Sequence, residues 1–237
     1  MTFGKRASTT IVAAILGIGL SACASDTSGE AQKATDTSAS STTQQSATSS
    51  PAAPPASQTP PAAAPGMTLD QYILDNNIDS SGVLKGEDGA PTITLPIPPG
   101  WEAAGPRAPR GAYDALVYTG PPPSQSPPTI VAYVVKLTGN VDPAKVLEYA
   151  ANETRVLPGF QGANEGKPST LANYEASQIG GFYTKDGVEL LIAQKTVVIP
   201  AQDGLFVLKI TAEGAEDYAM PLMDATAAID EQTTITA

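Results

Sequence analysis

Hydrophobic positions fall along this chain in three regimes. Ile11 to Leu20 (IVAAILGIGL) is an unbroken apolar run, preceded by Lys5 and Arg6 and followed by small residues. It is too short to span a bilayer, and a basic start, an apolar middle and a small-residue end make a secretory signal. From Ala24 to Pro65 the large apolar residues vanish: 33 of these 42 residues are Ala, Ser, Thr or Pro, and none is aromatic, Leu, Ile, Val or Met. Such a stretch cannot bury enough surface to offset its ordering entropy and reads as a disordered tether, stiffened toward polyproline II by Pro51, Pro54, Pro55, Pro60, Pro61 and Pro65. Its Ser, Thr and Pro content also resembles O-glycosylated stalks. Apolar residues return with regular spacing over 67–237, 171 positions, enough for one core hiding about 70% of the unfolded surface. The expected organisation is therefore 1–22 signal, 23–66 tether and 67–237 a single globular domain.

Within that domain the spacing predicts specific elements. Thr68 with Gln71 forms a capping-box pattern opening a helix over Leu69–Asn76, with Asn76 and Asn77 closing it. Pro91–Pro98 (PTITLPIP) alternates between prolines and suggests an edge strand. Ala112–Thr119 and Thr129–Leu137 are strand-like and joined by a Pro-rich loop. Asp142-Pro143 supplies an N-cap and a first-turn proline for a helix to about Val156, ahead of Pro158-Gly159. Tyr174–Thr184 and Val188–Ile199 flank Asp186-Gly187, and Leu205–Thr211 follows Asp203-Gly204, which predicts two successive hairpins. A last helix starts near Asp217, tolerates Pro221 in its first turn, and is expected to bury Ala219, Leu222, Met223 and Ala227.

The run Val188–Ile199 places Leu190, Ile192 and Val198 on one face and Leu191, Ala193, Val197 and Ile199 on the other. A sheet with one wet face would alternate more cleanly. Both faces must be covered, which gives an α/β/α sandwich around a central, mainly antiparallel sheet.

Composition narrows the chemistry. The chain has no histidine and one cysteine, so it has no His-based nucleophile system, no HExxH zinc site, no internal disulfide and no CxxC pair. Neither G-x-S-x-G, S-x-x-K nor a phosphate loop occurs. The single cysteine closes Leu20-Ser21-Ala22-Cys23, which resembles the lipobox of bacterial lipoproteins. There Cys23 becomes an S-diacylglycerol and N-acyl cysteine, carrying palmitate-type chains, and the new N-terminus; the alternative is an ordinary signal with a chance cysteine beside the cleavage site. Acyl chains contribute about 0.8 kcal/mol per buried methylene, so two or three would anchor the protein to the extracytoplasmic face of the cell membrane.

Charge and residue clusters decide less. Residues 67–237 carry 10 basic and 21 acidic side chains, with no basic cluster, so nucleic acid is not an expected partner. Asp75-Asn76-Asn77-Ile78-Asp79 faintly resembles a calcium loop, but Ser80 stands where glycine is required and Gly86 where the bidentate Glu is required, so no metal and no cofactor is expected. A carboxylate-dependent hydrolase needs two facing acids, yet Asp142, Asp186, Asp203 and Asp217 sit at turns or helix ends. No catalytic residue is assigned. The candidate ligand-binding residues are aromatic: Trp101, Tyr113, Phe160 and Tyr183 fall in or beside Gly- and Pro-rich connections, where they line a cleft or pack in the core.

Five stretches resemble the LpqN/LpqT family of mycobacterial lipoproteins: PTITLPIPPGW (91–101), PTIVAYVVKLTGNVDPAKVL (128–147), LPGFQG (157–162), AQKTVVIP (193–200) and LMDATAAIDEQTTIT (222–236). The resemblance implies a Mog1/PsbP-like α/β/α sandwich and a non-catalytic, membrane-tethered role in cell envelope biogenesis. The implied partners are an envelope glycolipid, an envelope transporter or other protein, or a host protein met through partial release or secretion. Only Cys23 has a role that transfers by motif.

Overall fold

A computed structural model describes residues 66–237. The signal, the lipobox with Cys23 and the tether lie outside the described residues. The elements run α1 (Leu69–Asp75), β1 (Asp79–Val83), β2 (Thr92–Thr94), β3 (Trp101–Ala103), β4 (Asp114–Tyr118), β5 (Thr129–Thr138), α2 (Pro143–Arg155), β6 (Gln161–Gly162), β7 (Lys167–Leu171), β8 (Tyr174–Lys185), β9 (Val188–Ala201), β10 (Gly204–Gly214), α3 (Ala219–Gln232) and β11 (Thr234–Thr236). Single 3-10 turns occupy Gly105–Arg107 and Glu216–Tyr218.

Local chemistry sets most of these boundaries. At α1 the Thr68 hydroxyl accepts from the Gln71 amide (3.3 Å) while the Gln71 side chain accepts from the Thr68 amide (3.0 Å), so two orphan donors are satisfied reciprocally. At α2 the Asp142 carboxylate accepts from the Ala144 and Lys145 amides, with Pro143 at the position that needs no donor. The β8–β9 hairpin turns on Asp186 (φ 52°) and Gly187 (φ 79°), the paired positive values that match the strand twist.

The main sheet is antiparallel, in the order β3-β4-β5-β10-β9-β8-β6, with β1 extending the β5 edge and β7 the β8 edge. Two three-strand meanders, β3-β4-β5 and β8-β9-β10, meet along β5 and β10, and α2 makes the crossing between them. One face buries Leu137, Val198, Leu205 and Val207 against Leu69 and Tyr72 of α1 and Val146 and Ala150 of α2. The other buries Val134, Val197, Ile199, Leu208 and Ile210 against Leu222, Ala225 and Ile229 of α3 and against Ile93 of the β2–β11 ribbon. β9 therefore contributes to both cores, and the α/β/α layering expected from its two apolar faces is present.

Two expectations are corrected. The stretch Pro91–Pro98, expected as an edge strand throughout, forms only the three-residue β2, paired with β11 in a two-strand ribbon separate from the main sheet. The final helix buries Leu222, Ala225 and Ile229, while Met223 and Ala227 face solvent and Ala219 is half-buried. A 3-10 turn precedes it, and the face presented to the sheet is rotated from the one inferred by counting from Ala219. The short strands β1, β3, β6, β7 and β11 carry no periodicity long enough to read.

Candidate functional site

The four aromatic candidates do not converge. Trp101 is buried at the start of β3, its ring 5.4 Å from that of Tyr118, which in turn meets Tyr218 edge-on at 5.8 Å. The Tyr118 and Tyr218 hydroxyls donate to the carbonyls of Pro121 and Pro122, so this aromatic row pins the Pro-rich loop to the sheet. Tyr113 is buried; its hydroxyl donates to the Pro91 carbonyl (2.9 Å) and accepts from the Ile93 amide (3.1 Å), tying β2 to the chain entering β4. Tyr183 is buried on β8, and its hydroxyl donates to the Glu213 carboxylate, which also accepts from Lys185 at 2.8 Å. Burial, then the bond to Glu213, pushes the Tyr183 hydroxyl well above the ordinary phenol range. Phe160 is half-buried and lies over Gly162 and Gly181, which face each other across the β6–β8 pair; a Cβ on either glycine would press into the Phe160 ring. Three of the four are buried, Phe160 is half-buried, and none of them lines the cleft between the sheet and the α1–α2 pair or the cavity between the sheet and α3. Proximity to Gly and Pro located them at element ends but did not determine which way their rings point.

A cleft does exist elsewhere, between the sheet and the α1–α2 pair. It encloses about 300 Å³. Its floor is aliphatic, made by Val135 and Leu137 of β5, Val207 of β10, Leu69 and Ile73 of α1 and Ala150 of α2. Polar groups gather among this lining: Asp70, Ser80, Tyr133, Glu153, Thr196 and Lys209. Tyr133 shares the face of Val135 and Leu137 because strand side chains repeat every second residue. The Lys209 amine and the Glu153 carboxylate pair at 3.0 Å, linking β10 to α2.

The helix pair is held in place from below. The Tyr72 hydroxyl accepts from the Asp142 amide (3.0 Å), its ring meets Tyr149 at 5.5 Å, and the Asn152 amide donates to the Met67 carbonyl (2.7 Å). These contacts fix α1 on α2, so the cleft is formed before any ligand arrives. Chemically it offers an apolar slot beside carboxylate and hydroxyl acceptors, one amine and one aromatic ring. Among the described residues no cluster of three or more Cys, Asp or Glu is placed to hold a metal ion.

The residues lining this cleft were not singled out by sequence reasoning. A signal was available: Tyr133 and Lys209 interrupt apolar strands (TIVAYVVKLT and LFVLKITA), and Thr196 lies in a polar break of β9. A polar side chain on a covered sheet face must find a partner or line a cavity.

Comparison with known proteins agrees with the fold and its resemblance. The chain is 49% identical over 174 residues to "Lipoprotein LpqN" of Mycobacterium tuberculosis (strain ATCC 25618 / H37Rv), covering 73% of this chain and 76% of the relative. It superposes on the crystal structure of LpqN involved in cell envelope biogenesis of Mycobacterium tuberculosis with a TM-score of 0.68 at 48% sequence identity, covering 73% of this chain and 99% of that one. The family model "Probable lipoprotein LpqN" matches residues 65–236, and the chain belongs to the LpqN family of lipoproteins.

Proposed function

We propose that this protein is a non-catalytic, lipid-anchored envelope protein that binds an amphipathic glycolipid in the cleft between α1, α2 and the sheet. The supporting observation is the cleft's division into an aliphatic floor and a polar border. Val135, Leu137, Val207 and Ile73 suit an acyl chain, while Asp70 and Glu153 can accept sugar hydroxyls and Tyr133 offers a ring face. A sugar head needs hydrogen-bond acceptors more than countercharge, and the Glu153–Lys209 pair leaves this border without excess positive charge. The relative's association with cell envelope biogenesis agrees with a glycolipid, or the machinery exporting it, as partner.

In this reading Cys23 carries the S-diacylglycerol and N-acyl groups, 23–66 is the tether, and 67–237 is held outside the cell membrane. A root-mean-square reach of roughly 5–6 Å times √n keeps the cleft within tens of ångströms of the bilayer. The test uses the full chain and dodecyl maltoside as a neutral glycolipid probe, read by isothermal titration. Ile73→Trp, which fills the cleft from a half-buried position, is expected to weaken binding at least tenfold, and Tyr133→Ala several-fold. Unchanged affinity in Ile73→Trp, or no binding across a panel of envelope glycolipids, overturns the reading.

A second reading, a protein adaptor, rests on α3. Met220 and Met223 are 65% and 63% exposed on its outer face, next to the acidic Asp217 and Asp224. Cross-linking on the membrane that recovers one stoichiometric protein partner, lost in Met220→Lys/Met223→Lys, would favour it.

A further inference from the structure

The opposite face of the sheet carries a larger cavity, about 380 Å³, between α3 and strands β7 to β10. Its character differs from that of the α1–α2 cleft. Ile210 of β10 and Ile229 of α3 supply apolar wall, Gln178 of β8 an amide, and two lysines its charge: Lys195 of β9 and Lys167 of β7. The Lys195 side chain is only 10% exposed, and its amine bonds to one acceptor, the Asp230 carboxylate at 2.6 Å. An ammonium has three donors, so two remain for whatever occupies the cavity. Lys167 is exposed and forms no ion pair among the described residues, whereas seven other basic side chains do. Burying a lysine in one-sided contact is costly, and a packed interior could have held an aliphatic residue here at no such cost. This lining holds two lysines and one carboxylate on a domain with 10 basic and 21 acidic side chains.

We infer that this cavity is a second ligand site, for an anionic amphiphile: a carboxylate or phosphate head between Lys195 and Lys167, with its hydrocarbon part on Ile210 and Ile229. Asp230 is the built-in competitor for the amine. It stands in the last turn of α3, where the helix dipole disfavours a negative charge, and its side chain is 43% exposed. A ligand headgroup that takes up the two free donors of Lys195 adds acceptors to a cation with only one of its three donors used. The site is independent of the α1–α2 cleft, from which the sheet separates it.

The test titrates the full chain with dodecyl phosphate, dodecyl maltoside and inorganic phosphate. Dodecyl phosphate is expected to bind in Ile73→Trp as in the parent, to weaken at least tenfold in Lys195→Gln and in the exposed Lys167→Gln, and to tighten several-fold in Asp230→Asn. Lys167→Gln keeps the question open to refutation if Lys195→Gln fails to fold. The inference is overturned if either folded lysine variant binds dodecyl phosphate unchanged, if Ile73→Trp abolishes its binding, if Asp230→Asn weakens it, or if inorganic phosphate binds as tightly. Failure of dodecyl maltoside alone would count against the glycolipid cleft and leave this site standing.

Discussion

Replacing Tyr113 with Phe separates a structural aromatic from a ligand-binding one. The substitution removes one oxygen and keeps the ring, so the packing of Tyr113 in the core is retained. That oxygen has two bonds, donating to the Pro91 carbonyl at 2.9 Å and accepting from the Ile93 amide at 3.1 Å, and Ile93 is buried. Losing a neutral hydrogen bond costs about 1 kcal/mol net, and a buried donor or acceptor left unpaired costs about 1–3 kcal/mol. The Ile93 amide is the exposed term in that sum, because a carbonyl tolerates under-satisfaction better than an N–H. The expected destabilisation is about 3 kcal/mol, which for a domain of this size lowers Tm by roughly 6–12 °C. Urea denaturation followed by far-UV circular dichroism should show a lower midpoint at unchanged slope, since the surface exposed on unfolding is the same. Affinity for dodecyl maltoside should not change. A midpoint within about 0.5 kcal/mol of the parent, or a loss of ligand affinity without a loss of stability, would refute the tie between β2 and the chain entering β4.

Two further substitutions test the electrostatic details. Asp142→Ala removes the acceptor for the Ala144 and Lys145 amides and should cost about 1 kcal/mol, seen as a Tm lower by roughly 2–4 °C; no change would mean that water caps α2 equally well. The hydrogen bond from Lys136 holds the Asp203 carboxyl below its ordinary value, so this pair's contribution is present above the unfolded carboxylate pKa and fades as pH falls through the lowered folded one. Lys136→Gln should move the Asp203 carboxyl titration, followed by NMR, back up, and an unmoved curve would remove the ion pair as its cause.

Elements whose cause is local were legible from the residues alone. The capping box at Thr68 and Gln71, the Asp142-Pro143 start of α2 and the Asp186-Gly187 turn each act within four residues, and each stands where expected. The layering followed from one strand: Val197 and Ile199 of β9 lie in the α3-side core and Val198 in the α1–α2 core. What stayed hidden depends on distant partners. Thr92–Thr94 becomes a strand because Thr234–Thr236 pairs with it from the other end of the domain, and neither segment is long enough to show a period. Lys167–Leu171 (KPSTL) is a strand because β8 offers it an edge.

The binding surfaces show the same division in a sharper form. Glycine and proline turns point to nearby aromatics as ligand contacts, yet Trp101, Tyr113 and Tyr183 are buried, with the Tyr113 hydroxyl bonded to Pro91 and Ile93, the Tyr183 hydroxyl to Glu213, and the Trp101 ring against Tyr118. Tyr113 uses its hydroxyl both to donate and to accept within the fold, Tyr183 donates its proton to Glu213, and burial turns both rings inward. Polar residues inside apolar strands carry the opposite implication. Gln194-Lys195-Thr196 interrupts β9, with Lys195 facing α3 and its neighbours facing α2; Lys209 interrupts β10 and Tyr133 interrupts β5. The Gln194 amide donates to the Ala150 carbonyl at 3.2 Å and is accounted for within the core. Gln194 and Lys195 line the cavity under α3, and Thr196, Lys209 and Tyr133 line the α1–α2 cleft. A covered strand carries a polar side chain where it finds a partner or room in the covering layer, and Gln194, Lys195 and Lys209 have both, partners in α2 or α3 and a cavity beside them. In a two-faced sheet, alternation assigns each one to a layer, and that assignment is what separates the α1–α2 cleft from the lysine cavity under α3.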